Sequence, residues 1–151
     1  MIKIICVGKI KEKYIREAVE DYKKRLSKYT KLEIIEVNDI DNHNIDIILQ
    51  KEKEQIEKFI DIKDYVMTLE IDGNMLSSIE LANKLNNTFN TNSTITFIIG
   101  GSYGLHESIK QRSNYKLSFS KLTFPHQLFR VILLEQIYRC YKINNNEAYH
   151  K

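Results

Sequence analysis

Short apolar segments alternate with amphipathic ones along the whole chain, and this alternation constrains the fold more than any other feature. Strand-like segments, which are rich in β-branched residues or alternate between apolar and polar residues, are predicted at residues 2–7, 32–37, 65–71, 94–99 and 116–120. Segments with helical periodicity are predicted at residues 11–29, 47–60, 106–112 and 126–143, and a further helix follows a capping box at residues 77–80. Strands that alternate with helices form parallel sheets covered on both faces. The sequence therefore predicts an α/β fold with a mostly parallel sheet flanked by helices.

Two local features add detail to this pattern. The third strand is expected to end at a turn formed by Asp72 and Gly73, since this dipeptide is typical of turns. The helix after the capping box is expected to direct one apolar stripe inward. The members of that stripe are Ile79, Ala82, Leu85 and Phe89.

The chain has 151 residues and 42% hydrophobic content, enough for one core but too little for two, so residues 1–151 are predicted to form a single domain. Its longest apolar runs, residues 95–99 and 131–134, are too short to cross a bilayer, which argues against a membrane protein. The apolar start lacks the features of a signal peptide. Cys6 and Cys140 lie far apart in apolar stretches, which favours two core thiols in a reducing, cytoplasmic compartment over a disulfide.

The net charge of +3 is too small to identify a nucleic-acid binder by itself. Basic residues are nevertheless grouped near the two ends of the chain, while acidic residues concentrate between positions 33 and 80. If the two ends meet in the fold, they can form one basic face for an anionic partner. The basic groups are Lys9, Lys11, Lys13 and Arg16 near the start, and Arg130, Arg139, Lys142 and Lys151 near the end.

The last predicted helix is apolar around most of its circumference, which is unusual for a surface helix in a small domain. One interpretation is that one face packs on the core and another forms a homodimer interface. The alternative is a central helix that is covered by its own chain. The apolar positions are Leu128, Phe129, Val131, Ile132, Leu133, Leu134, Ile137, Tyr138, Cys140, Tyr141 and Ile143.

Three glycines, Gly100, Gly101 and Gly104, follow the fourth strand-like segment. Glycine permits positive φ and close approach of a ligand, and ligands bind at the carboxyl ends of strands in open α/β sheets. The spacing matches neither the dinucleotide pattern GxGxxG nor the Walker pattern GxxxxGK(S/T). A ligand-binding loop and a purely structural turn are therefore both open.

The segment 117–127 contains the only proline, Pro125, just before the last helix, where its fixed φ is compatible with a helix start. The backbone of such a loop can bracket a flat hydrogen-bonding ligand such as adenine, or it can simply begin the helix. For His126, a local hydrogen bond at the helix start is favoured over a functional role.

The chain ends in Tyr149, His150 and Lys151. Proteins hold RNA bases by stacking them on aromatic rings beside polar and cationic groups, although a frayed terminus is the simpler interpretation of this tail. The four histidines lack metal-ligand spacing and no paired cysteines are present, so no catalytic metal is expected.

Together these segments resemble the RlmH family. The resemblance rests on IIGGSYGLH, on LSFSKLTFPHQLFRVILLEQIYRCYKI and on the terminal EAYHK, and the segments IKIICVGKIKEKYIREAVEDYKKRL and VMTLEIDGNMLSS also match. Members of this family are bacterial SPOUT-class enzymes that transfer a methyl group from S-adenosylmethionine to N3 of a pseudouridine in large-subunit ribosomal RNA. The resemblance implies a SPOUT fold with a C-terminal trefoil knot, an obligate homodimer, and a substrate presented by the assembled ribosome.

The resemblance also implies site residues. Arg139, Tyr149 and His150 are candidates for placing and activating the target base, since a nearby cation favours a deprotonated base, with His126 behind them. An i,i+4 ion pair with Glu135 is an alternative role for Arg139. The methyl donor is expected to contact Leu69, Gly100, Phe119, Ser120, Lys121, Leu122, Thr123 and Phe124.

Two other functions are compatible with parts of the sequence. A ribosome-associated binding module of the same fold would bind ribosomes without methyl transfer. A Rossmann-type enzyme would bind a phosphorylated cofactor at residues 100–104, although the missing GxGxxG pattern weighs against it.

Overall fold

A computed structural model describes all residues from 1 to 151 and contains five strands and five helices in strict alternation. This order confirms the predicted α/β pattern. Along the chain, the elements are β1 (Ile2–Val7), α1 (Lys13–Leu26), β2 (Leu32–Val37), α2 (Ile45–Glu57), β3 (Tyr65–Met75), α3 (Ser78–Phe89), β4 (Ile95–Ile99), α4 (Glu107–Arg112), β5 (Tyr115–Ser118) and α5 (His126–Asn144).

The five strands form one sheet in the order β2-β1-β4-β3-β5, and every neighbouring pair is parallel. Helices cover both faces, which explains why β1 and β4 are buried along their whole length and are apolar except at Lys3 and Thr96. The larger core lies between the sheet and α1, α3 and α5, and a smaller core lies under α2 and α4. Consequently the carboxyl ends of all five strands meet at one edge, which is where ligands bind in sheets of this kind.

Side-chain caps fix where two helices begin. Ser77 Oγ accepts a hydrogen bond from the Glu80 amide at 3.1 Å, which confirms the predicted start of α3. Asn44 caps α2 in the same way, so that helix begins earlier than predicted. The inward stripe predicted for α3 is wrong at Ile79, which is 51% exposed, and Leu81 takes the buried position instead. Ile79 lies in the first turn of α3, on the exposed side of the helix.

The turn predicted at Asp72 and Gly73 is wrong, because β3 continues to Met75. Leu69 and Asn74 both align with Leu117 of β5, so the four residues between them bulge out of the ladder. At Gly73 a Cβ atom would lie 2.8 Å from the carbonyl oxygen of Lys116. This glycine therefore permits a close approach of two backbones rather than a turn.

Helix α5 lies between α1 and α3, and its central residues are fully buried in the monomer. Its own chain thus covers much of the apolar circumference, while its first turns stay open, with Leu128 40% exposed. The homodimer stays a prediction. Cys6 and Cys140 are both free and buried, as predicted. None of the helices combines the length and apolarity needed to cross a membrane.

Candidate active site

A cavity of about 310 Å³ lies at the carboxyl edge of the sheet, where the chain leaves β3, β4 and β5. Of the eight residues predicted to hold a donor, the structure brings seven to its wall, while Lys121 lies in the same loop but does not line the cavity. The seven are Leu69, Gly100, Phe119, Ser120, Leu122, Thr123 and Phe124.

The glycine loop after β4 is a tight turn that also lines this cavity. The Gly104 amide donates to the Gly101 carbonyl at 3.1 Å, and Gly104 has a φ of +79°. A Cβ on Gly100 would lie 2.6 Å from the Gly104 carbonyl oxygen. Both interpretations of the glycines therefore apply, because the glycines shape the turn and the turn forms one wall of the cavity.

The loop 119–124 forms the opposite wall, and its backbone makes no backbone–backbone hydrogen bond. Serine side chains hold it instead. Ser118 Oγ lies 2.9 Å from the Ile71 carbonyl oxygen and 3.1 Å from that of Ser120, while Ser120 Oγ accepts from the Leu122 amide at 3.0 Å. The remaining amides and carbonyls of the loop are available to a ligand that needs both donors and acceptors.

Aromatic rings support this loop from behind. Phe129, on the first turn of α5, packs edge-on against Phe119 with ring centroids 5.1 Å apart. It also stacks with Phe124 at 6.0 Å. All three rings line the cavity, so its wall offers apolar surface and free backbone groups side by side. This combination suits a flat heterocycle with polar edges.

Glu70 and Asp72 of the β3 bulge and Lys110 of α4 are charged side chains at the cavity wall, and none of them was predicted from the sequence as a site residue. The carboxylate of Glu70 accepts from Thr68 Oγ1 at 2.6 Å and lies 3.9 Å from Lys110 Nζ. Asp72 lies two residues further along and is exposed at the cavity wall. Carboxylates in this position can accept hydrogen bonds from hydroxyl groups or pair with a cationic ligand.

A second cavity of about 490 Å³ adjoins the first and shares Gly101, Ser102 and His126 with it. Basic side chains line it at the end of β1 and the start of α5, namely Lys9, Lys11 and Arg130, together with the acidic Glu12 and Asp39.

Arg130, in the second cavity, is almost fully buried. It pairs with Glu36 at 2.6 Å, and its Nη2 donates to the Val7 carbonyl at 3.2 Å. Its Nε has no partner. The local hydrogen bond predicted for His126 is wrong, since its ring has no hydrogen-bonded neighbour, and burial together with the nearby Arg130 cation lowers its pKa.

The residues predicted to place the base come together near the C-terminal end of α5, and none of them lines either cavity. Arg139 Nη1 lies 3.2 Å from His150 Nδ1, and its guanidinium lies 4.7 Å from the centre of the Tyr149 ring. The alternative role of Arg139 is also present, because its Nη2 donates to Glu135 at 2.7 Å. The tail folds back on its own helix, where Tyr149 packs edge-on against Tyr138.

The chain is similar to known proteins along its whole length. Residues 1–150 match the family model described as a predicted SPOUT methyltransferase. The chain belongs to the SPOUT methyltransferase family. Among curated SPOUT relatives, the ribosomal RNA large subunit methyltransferase H of Caldicellulosiruptor saccharolyticus is 51% identical over the full length of both chains. The protein of the same name from Clostridium botulinum is 53% identical over 99% of each chain. These relatives confirm the resemblance to RlmH.

A solved structure also shares the SPOUT fold. It is described as a probable methylase family protein from Haemophilus influenzae Rd KW20 and superposes with a TM-score of 0.59 over 99% of this chain and 70% of the other. Since the two sequences are only 15% identical, this similarity bears on the fold alone.

Proposed function

We propose that this chain uses S-adenosylmethionine to methylate N3 of a pseudouridine in large-subunit ribosomal RNA, on the assembled ribosome in the cytoplasm. The observation that carries the proposal is the cavity at the carboxyl edge of the sheet, lined by seven of the eight residues that the family resemblance assigns to the donor. The names of the full-length relatives support the class of substrate. No feature of the cavity favours the Rossmann-type alternative.

The cavity fits the chemical groups of S-adenosylmethionine. The adenine ring needs a flat apolar surface together with amide and carbonyl partners, which the loop 119–124 and the Phe129 ring offer. Glu70 and Asp72 suit the ribose hydroxyls and the cationic part of the donor. When bound, the donor supplies an electrophilic methyl group.

The protein's own residues have two tasks in such a reaction. They must hold N3 of the base in line with the methyl group, and they must favour loss of the N3 proton. Arg139 is the proposed group for the second task, with His150 beside it, since a cation beside the base stabilises its anionic form once the N3 proton has passed to solvent. Tyr149 is proposed to place the base through a hydrogen bond of its hydroxyl.

RNA has to reach the donor cavity, and the second cavity provides a path. It opens beside the glycine loop and His126 and carries Lys9 and Lys11 at its wall. Cations there can contact phosphates and set the position of the strand. With a net charge of only +3, the chain can release few counterions on free RNA, which favours a substrate already presented by the ribosome.

The active unit is proposed to be a homodimer of single-domain chains with the trefoil knot of the family. In the monomer, the tail with Arg139, Tyr149 and His150 does not line its own cavities. A partner subunit packed on the open first turns of α5 can bring its tail to the donor cavity. Each active site would then use the donor pocket of one subunit and the tail of the other.

Titration calorimetry with S-adenosylmethionine tests the donor assignment, and a folded chain that binds none refutes it. Ribosomes from a strain that lacks the modification test the reaction, with mass spectrometry of the ribosomal RNA to locate the new methyl group. Ribosome binding without methyl transfer would identify the protein as a binding module instead. Deletion of residues 149–151 is expected to abolish transfer, and a fully active deletion variant would exclude the tail from the mechanism.

A further inference from the structure

Four donor atoms form hydrogen bonds to the carboxylate of Glu135, in the middle of α5. Tyr22 of α1 donates its hydroxyl at 2.6 Å, and Tyr149 of the tail donates to the same oxygen at 2.9 Å. Arg139 donates twice to the other oxygen, from Nε at 3.0 Å and from Nη2 at 2.7 Å. One side chain thus joins the helix, the neighbouring helix and the tail.

These bonds stabilise the ionised carboxylate. Burial alone would raise the pKa of Glu135, but hydrogen bonds from Tyr22, Arg139 and Tyr149 lower it below its usual value. The carboxylate is therefore charged at neutral pH and acts only as an acceptor. Every group that faces it must present a proton to it.

This requirement fixes which hydrogen-bonding groups remain free for a base. The single hydroxyl proton of Tyr149 is directed to Glu135, so the lone pairs of its oxygen are left as acceptors. Two of the guanidinium nitrogens of Arg139 are also directed to Glu135, which leaves Nη1, beside His150 at 3.2 Å, as a donor. The tail consequently offers an acceptor next to a donor.

We propose that Glu135 is a positioning residue that sets this acceptor–donor pattern and aligns Tyr149 and Arg139 with the target base. The pattern is complementary to the N1–C2 edge of a pseudouridine, where an N–H group lies beside a carbonyl oxygen. Tyr149 would accept from N1–H and Arg139 would donate to the C2 carbonyl, which leaves the N3 lone pair open to the methyl group once the N3 proton has passed to solvent. This inference rests on the proposed function and on the roles it gives to the tail.

Tyr22 extends the same network to α1. Its hydroxyl forms the shortest of the bonds to Glu135, and its ring packs edge-on against Tyr138, which in turn packs against Tyr149. Tyr22 therefore limits the rotamers open to Glu135 without touching Arg139. A change at Tyr22 perturbs the carboxylate while leaving every proposed base-contacting group in place.

The main variant is Glu135→Gln, which keeps the volume and removes the charge. Supporting groups of this kind typically contribute 10–100-fold to activity, so kcat for methyl transfer is expected to fall by about 10–100-fold. The Kd for S-adenosylmethionine is expected to stay within about twofold, because Glu135 does not line the donor cavity. Glu135→Asp retains the charge and should recover part of kcat.

A matched control separates positioning from simple helix support. Glu57 forms an i,i+4 pair with Lys53 at 3.6 Å on α2, similar to the pair of Glu135 with Arg139 but on a helix that covers the other face of the sheet. Glu57→Gln should leave kcat and the thermal midpoint nearly unchanged. Equal losses in Glu57→Gln and Glu135→Gln would overturn the proposal, since any helix ion pair would then have the same effect.

A double-mutant cycle provides the decisive readout. Because Glu135 acts through Arg139 as well as Tyr149, adding Glu135→Gln to Arg139→Gln should cost clearly less kcat than adding it to the wild type. Independent, fully multiplying losses would overturn the proposal. If Glu135→Gln does not fold, Tyr22→Phe replaces it in the cycle and is expected to lower kcat by a smaller factor, which is again reduced beside Arg139→Gln.

The same cycle distinguishes this inference from the proposed function. An Arg139→Gln variant with full activity removes the roles given to the tail, and the positioning role is overturned with them. An inactive Arg139→Gln variant beside a fully active Glu135→Gln variant leaves the proposed function intact and overturns only the positioning role.

Discussion

Replacing Gly100 by alanine is the sharpest test of the donor cavity. The new Cβ would lie 2.6 Å from the Gly104 carbonyl oxygen, about 0.8 Å closer than the 3.4 Å at which ordinary contact begins. Because the obstacle is backbone rather than a flexible side chain, the loop itself has to move. Overpacking of this size typically costs roughly 1–3 kcal/mol. Since Gly104 is exposed, the loop can yield, and most of this cost is expected in donor affinity rather than in folding.

A loss of this size corresponds to a roughly 5- to 150-fold higher Kd for S-adenosylmethionine, measurable by titration calorimetry. The part of the cost that lowers the stability of the free chain is measured by thermal unfolding, where each kcal/mol lowers the midpoint by roughly 2–4 °C. Tyr103→Ala is the matched control, because it changes the same loop at an exposed residue that lines neither cavity. A folded Gly100→Ala variant with the donor affinity of the wild type would refute the reasoning.

Three further predictions concern buried and ionised groups. Asp64→Asn is expected to destabilise the chain by about 3–5 kcal/mol in chemical denaturation, because it leaves the buried Lys3 without its 2.9 Å partner. Adding Lys3→Met to Asp64→Asn should restore most of that loss, because it removes the unpaired cation while the amide still accepts from Thr96 and Asp61, and an additive loss would contradict the explanation. Burial raises the pKa of the Cys6 and Cys140 thiols to about 12, so iodoacetamide at pH 8 should label both only after unfolding, as followed by mass spectrometry. Since the folded pKa of Glu135 lies below its unfolded value, its contribution to stability is present above the unfolded pKa and is lost as pH falls through the folded one. Glu135→Gln should therefore flatten the acid side of a stability–pH curve, and an unchanged acid side would contradict this.

Sequence periodicity predicted the fold well where local pattern and tertiary packing agree. The bounds of β1 and β2 match the prediction, because their apolar patterns alone decide which residues enter the sheet. The end of β3 could not be predicted in this way. Asp72 and Gly73 are typical of a turn, but Gly73 is required by the approach of Lys116, a residue far away in the chain. The local preference for a turn is overridden by a contact between residues that are distant in the sequence.

The candidate site was likewise predictable only where the sequence carries a local signal. The glycine loop and the loop before α5 were accessible to sequence reasoning because both follow strands and carry unusual backbone residues. Glu70 was not, since a lone glutamate in a strand gives no signal, and only the bulge places it at the cavity. Likewise, the pairing of Arg139 with Glu135 follows from i,i+4 spacing. The contribution of Tyr22 depends on how α1 packs against α5 and has no local signature.

The position of β1 in the sheet affects how the chain folds as it is synthesised. β1 is made first, yet it lies between β2 and β4, and the core beneath it is closed by α5, which is made last. At about 5–20 residues per second, α5 begins to be synthesised roughly 6–24 s after β1. During that interval the apolar faces of β1 and α1 lack their partners, and non-local parallel pairing is slow. Nascent chains that end before His126 are therefore expected to be clients of chaperones rather than folded intermediates.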